Sequence, residues 1–72
     1  MEVDFHGWLP DDAVNHFHIM VGEARQSGEK KSIRFITGNG KIKQLIKKEC
    51  ADMGISCTEQ FGNSGTLIPN VD

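Results

Sequence analysis

Glycines divide this chain into segments too short for anything but a small layered fold. Gly7, Gly28, the Gly38/Gly40 pair, Gly54 and the stretch 62–65 separate runs whose apolar residues recur at either strand or helix spacing. Residues 1–5 read as a strand, after which Gly7 lets the backbone turn at low steric cost. Pro10 suits a first helical position, Asp11 and Asp12 favour the positive helix start, and Ala13, Phe17, Val21 and Ala24 recur at helical spacing. A first helix over residues 10–26, stopping near Ser27-Gly28, is expected. Ile19 points away from its stripe. Residues 31–36 (KSIRFI) predict a second strand and 41–53 a second helix, with Ile42, Leu45, Ile46, Cys50 and Met53 inward. Lys41, Gln44, Lys47 and Lys48 face water, Glu49 falls at the edge of the apolar sector, and Gly54 is the expected stop. A third strand over 55–61, a turn over 62–65 and a short fourth strand over 66–69 complete the pattern.

The order strand, helix, strand, helix, strand, strand implies an α/β two-layer βαβαββ sandwich, with a four-stranded mixed sheet and both helices on one face. At 72 residues there is room for a single domain, 1–72, with one modest core that four Phe and one Trp can fill. If strands one and two run parallel as neighbours, their ends meet at one edge, where open α/β sheets often bind ligands. That edge would hold His6-Gly7 and Gly38-Asn39-Gly40.

Charge and cysteine usage narrow the function. A net charge of −2 argues against a coat of Lys and Arg gripping nucleic acid, so any such binding must be local. Cys50 and Cys57 have neither CxxC nor finger spacing and read as reduced core residues. Acidic residues interrupt the first fifteen positions, and no stretch approaches a membrane span, so a cytoplasmic protein without membrane association is expected.

The chemistry concentrates in two places. On a strand, Asp4 and His6 point to the same face, so the carboxylate can orient the imidazole or raise its pKa, enough for one general acid or base. Equally, both side chains can serve only to satisfy backbone groups near a turn. Thr37-Gly38-Asn39-Gly40 allows close backbone approach, and N–H groups at a helix start attract phosphate. The plainer reading is a tight turn with Asn39 as N-cap. Lys41 and Lys43 oppose the helix dipole at a cost of roughly 0.3–1 kcal/mol, which a bound anion would offset. Lys47, Lys48 and Arg34 could extend the footprint. No cofactor is expected, with a divalent metal as the alternative left open: only Asp4, with Glu2, is placed to ligate, and His16 and His18 diverge by about 200° on a helix. Trp8 could stack on a base, but core packing with Leu9 as apolar filler is the preferred reading.

Val3-Asp4-Phe5-His6-Gly7, Asp11-Asp12-Ala13, Thr37-Gly38-Asn39-Gly40 and the glycine-rich stretch 62–65 together resemble the Smr (small MutS-related) domain family, whose motifs are apolar-Asp-Leu-His-Gly, Asp-Glu-Ala and His/Thr-Gly-x-Gly. The resemblance covers essentially the whole chain. It departs where Phe5 stands for Leu, where Asn39 replaces a basic or aromatic residue, and where a short insertion before the second helix is missing. The resemblance implies a fold similar to the C-terminal domain of translation initiation factor 3, binding to DNA or RNA, and in some members endonuclease activity. Carried over by position, Asp4 and His6 match the cleavage residues, and Gly7, Thr37, Gly38, Asn39 and Gly40 the substrate-facing surface, with Lys41 and Lys43 adding charge. A metal-independent route through the RNA 2′-hydroxyl asks least of these residues and favours RNA over DNA. The alternatives are a binding module without cleavage and a protein-interaction domain using the sheet edge or the helix face near Ile19. A protein partner or the ribosome could supply the charge that so acidic a domain lacks.

Overall fold

The computed structural model describes residues 1–28 and 32–70. The chain runs β1 (Glu2–Asp4), α1 (Pro10–Ser27), β2 (Arg34–Ile36), α2 (Lys41–Asp52), β3 (Ser56–Gln60) and β4 (Asn63–Asn70). The strands form one mixed sheet in the order β1-β2-β4-β3, with β1 parallel to β2 and β4 antiparallel to both of its neighbours. Both helices cover one face, giving the small two-layer α/β fold that the element order implies.

The core forms where the helical stripes meet the inward strand positions. Ala13, Phe17, Val21 and Ala24 of α1 and Ile46 and Cys50 of α2 pack with Phe5, Ile33, Phe35, Ile55 and Leu67. At its centre the Phe35 ring stacks on Phe5, with centroids 5.7 Å apart, and meets Phe17 edge-on at 5.2 Å. Removing such a ring costs about 3–5 kcal/mol, a large part of the ~5–15 kcal/mol that holds a small domain together.

A left-handed glycine follows each helix, as the cap of α1 and just beyond the Met53 cap of α2. Gly28, at φ 67°, donates its N–H to the Arg25 carbonyl at 3.3 Å, and Gly54, at φ 71°, to the Ala51 carbonyl at 3.2 Å. From there the Ile55 N–H reaches the Cys50 carbonyl at 2.8 Å and turns the chain into β3.

Three expectations need correction. The strands β1 to β3 are shorter than the sequence suggests, and Lys31, the expected start of β2, lies outside the described residues. The turn is not the stretch 62–65 but Phe61-Gly62, with Gly62 at φ 78° and Gln60 opposite Asn63. Residues 63–65 stay extended and belong to β4, leaving a register shift where β4 bulges away from β3. The aromatic core is also smaller than expected: Phe61 is fully exposed, Leu9 is 68% exposed and Trp8 40%. Trp8 packs edge-on against Phe5 and tilts against His16, at 5.1 and 5.2 Å between centroids. It shields the core from outside instead of filling it.

Candidate functional site

Because β1 and β2 are parallel neighbours, their C-terminal ends meet at one edge, tied by the Phe5 N–H donating to the Ile36 carbonyl at 2.9 Å. The chain turns back at once, with the Trp8 N–H donating to the Phe5 carbonyl at 3.0 Å over Gly7 at φ 79°. Asp4, His6 and Gly7 on one side and Thr37 and Gly38 on the other line a concavity of about 200 Å³, whose apolar wall includes Ile36 and Ile42. Residues far apart in sequence are thus brought to one place.

Within it, Asp4 and His6 are not related as strand neighbours. β1 ends at Asp4, and His6 sits in the turn, so the shared-face premise does not hold. Asp4 Oδ1 instead accepts the backbone N–H of His6 at 2.8 Å, the Asx geometry natural to Asp at the head of a turn. That carboxylate fixes the turn that carries the imidazole.

The glycine loop is built from β4. The Gly65 carbonyl accepts the N–H groups of Thr37 and Gly38 at 2.8 and 3.0 Å, and the Thr37 hydroxyl lies 3.2 Å from the same oxygen. A Cβ on Gly65 would stand 3.2 Å from Gly38 Cα, a contact tighter than ordinary packing, and Gly38 itself is at φ 70°. The first two N–H groups of the loop are therefore used internally. Gly40, not Asn39, is the N-cap of α2, and no side chain caps the helix. Asn39 Oδ1 accepts from Lys43 Nζ at 3.2 Å and from the Ser64 hydroxyl at 3.1 Å.

The cations divide sharply. Lys43 Nζ lies 2.7 Å from Glu59 Oε1 with its side chain only 15% exposed, and Lys47 Nζ is 3.6 Å from the same oxygen. The Lys43 hydrogen bond is the main reason the Glu59 carboxyl is held below its ordinary range. Lys43 accordingly leaves the set of free phosphate ligands. Arg34 stands opposite Glu2 at the start of the sheet pair, away from the edge, and binds it at 3.2 Å. Lys41 and Lys48 stay exposed. Asn39, Gly40 and Lys41 border α2 without lining the concavity.

A larger groove of about 410 Å³ between the helices is lined by Asp11, Val14, Asn15, Leu45 and Glu49. Beside it, Glu49 pairs with His18 at 3.3 Å, which explains a carboxylate at the edge of the apolar sector. Among the described residues no three His, Cys, Asp or Glu gather as metal ligands, and no helix is long and apolar enough to cross a membrane. Cys50 and Cys57 are free thiols in mutual contact: their hydrogen bond raises Cys50 and is the first reason Cys57 falls to about 7, with Lys47 adding to the fall.

Sequence reasoning missed Glu59, Ser64 and Gly65 as partners of the loop. Only the small residues at 64 and 65 gave a signal, and locally they read as a turn. Compared with known proteins, the chain matches no family model, no curated protein and no solved structure.

Proposed function

We propose that this chain is a cytoplasmic nucleic-acid-binding domain of the Smr type that acts as an endonuclease, with RNA as the favoured substrate. The observation that carries the reading is the joining of Asp4, His6 and Gly7 with Thr37 and Gly38 around one concavity, beside an α2 start that no side chain caps. A phosphodiester placed there has its free oxygens toward the first-turn N–H groups of α2 and the Lys41 ammonium. His6 then accepts the proton of the ribose 2′-hydroxyl. The 2′-oxygen attacks phosphorus, the bond to the 5′-oxygen breaks, and water protonates the departing oxygen, leaving a 2′,3′-cyclic phosphate and a 5′-hydroxyl. Asp4 is a positioning residue, since it holds the turn beneath His6. With Lys43 committed to Glu59, the footprint covers few phosphates, and the salt dependence of binding is shallow.

A second reading, binding without cleavage, is favoured by one observation: the Asp4 carboxylate is engaged by the backbone N–H of His6 and not by its imidazole. One experiment separates the two. Purified protein is incubated with labelled RNA and DNA strands, with chelator or with magnesium, beside His6→Ala and Asp4→Asn. The nuclease reading expects RNA cutting in chelator, survival of an all-DNA strand, a loss of about 10²–10⁴-fold in His6→Ala with binding intact, and a smaller loss in Asp4→Asn. Binding without cutting establishes the second reading. Metal-dependent DNA cutting replaces the 2′-hydroxyl route, and equal activity in all three proteins removes this site from the chemistry.

A further inference from the structure

The β3–β4 hairpin turns at the same edge of the sheet as the concavity. β4 runs antiparallel to β2 with Ile36 opposite Thr66, so its first residues lie beyond the C-terminal end of β2. The contacts confirm the placement: Ser64 meets Asn39, and Gly65 holds Thr37 and Gly38. Phe61 occupies the first position of the two-residue turn at the tip of this hairpin and is 102% exposed, while the other three phenylalanines are 0–1% exposed. Because Gln60 lies opposite Asn63, Phe61 stands about two residue steps of about 3.3 Å beyond Ser64, roughly 7 Å along the hairpin. That span is within the reach of a few nucleotides from the α2 start.

Resting on the nucleic-acid reading above, we propose that Phe61 is a stacking platform for an unpaired base and that the edge therefore selects single-stranded nucleic acid over duplex. A phenyl face stacks on any base without hydrogen-bond readout, so it adds affinity without sequence preference. Bases in a duplex are already stacked on each other and gain nothing from it. The arrangement also compensates for a small basic footprint: the α2 start holds phosphate, and the hairpin tip holds a base further along the same strand.

The test measures fluorescence anisotropy of labelled oligouridylate, oligothymidylate and a mixed-sequence duplex with wild type, Phe61→Ala, Phe61→Trp and Lys41→Glu. Far-UV circular dichroism checks that the fold is kept, as the full exposure of Phe61 implies. Phe61→Ala is expected to weaken both single strands by about 5- to 150-fold and leave the duplex unchanged, with Phe61→Trp restoring the affinity. Selective loss on one of the two strands still supports the platform and shows which of the two strands it serves. If wild type binds and Lys41→Glu weakens it while Phe61→Ala does not, the platform is overturned and the edge reading stands. Equal loss on duplex and single strands also overturns it. No binding by wild type overturns both. A wild-type dimer that Phe61→Ala converts to monomer with unchanged nucleic-acid affinity assigns the ring to a protein contact instead.

Discussion

The two helices begin in opposite ways. α1 opens with Pro10 and carries Asp11 and Asp12 in its first turn, so its positive end is matched by its own carboxylates. α2 opens on Gly40, has no acid in its first turn, and places Lys41 and Lys43 there. One start is electrostatically complete. The other has no carboxylate of its own and is relieved only where Asn39 and Glu59 draw Lys43 aside. The difference, made by residue choice alone, is what the proposed phosphate contact at the α2 start rests on.

The contrast breaks most readily at the contact that shapes the α2 start. Gly65→Ala sets a methyl against Gly38 and is expected to cost about 1–3 kcal/mol, lowering the thermal midpoint by about 4–8 °C per kcal/mol. Amide exchange should quicken at Thr37 and Gly38 and not along α1. Unchanged exchange at those two positions would mean that β4 does not organise the loop.

A charge exchange sharpens the contrast next. Lys41→Glu should stabilise the fold by about 0.3–1 kcal/mol while weakening nucleic-acid binding across sequences and reducing its salt slope by about 1. Asp11→Lys should destabilise by a similar amount with affinity unaltered. Urea melts and salt titrations measure both, and equal behaviour of the two variants would erase the distinction between the helix starts.

Smaller effects come from the acid that draws Lys43 away. Glu59 is depressed in the folded protein, so its contribution is present above the unfolded carboxyl value and is lost as pH falls through the lower folded value. Glu59→Gln should therefore flatten the acid limb of stability against pH. It should also free Lys43 and tighten phosphate binding slightly. At the other end of α2, Cys57 should be the thiol that iodoacetamide modifies first, with a rate rising through about pH 7, while Cys50 stays protected by burial. Mass spectrometry after brief labelling checks the order.

What could be read from residues alone was local. Pro10 and Gly28 bracket α1 because backbone constraints act on single residues, and the apolar stripes found the core faces of both helices. The chemistry of the edge was half legible. The two motifs do meet, but Asp4 followed by a turn prefers the backbone N–H two residues on, which strand periodicity cannot anticipate. The composition of 62–65 signalled a turn, yet only Gly62 takes a positive φ there, while Gly65 packs closely on Gly38 of a different strand connection. Lys43 looked free for the same reason: its partner Glu59 is set by how α2 lies over β3, a tertiary fact with no local trace.

β4 comes last in chain order but lies between β2 and β3, bonded to both. Until it inserts, β1 and β2 form a two-stranded parallel ribbon, and β3 has no partner in the sheet. Neither piece is stable alone in water. Joining the two pieces takes a long loop closure that brings Leu67 onto Phe35. The same closure seats Gly65 against Gly38, so the edge is assembled only when β4 joins β2.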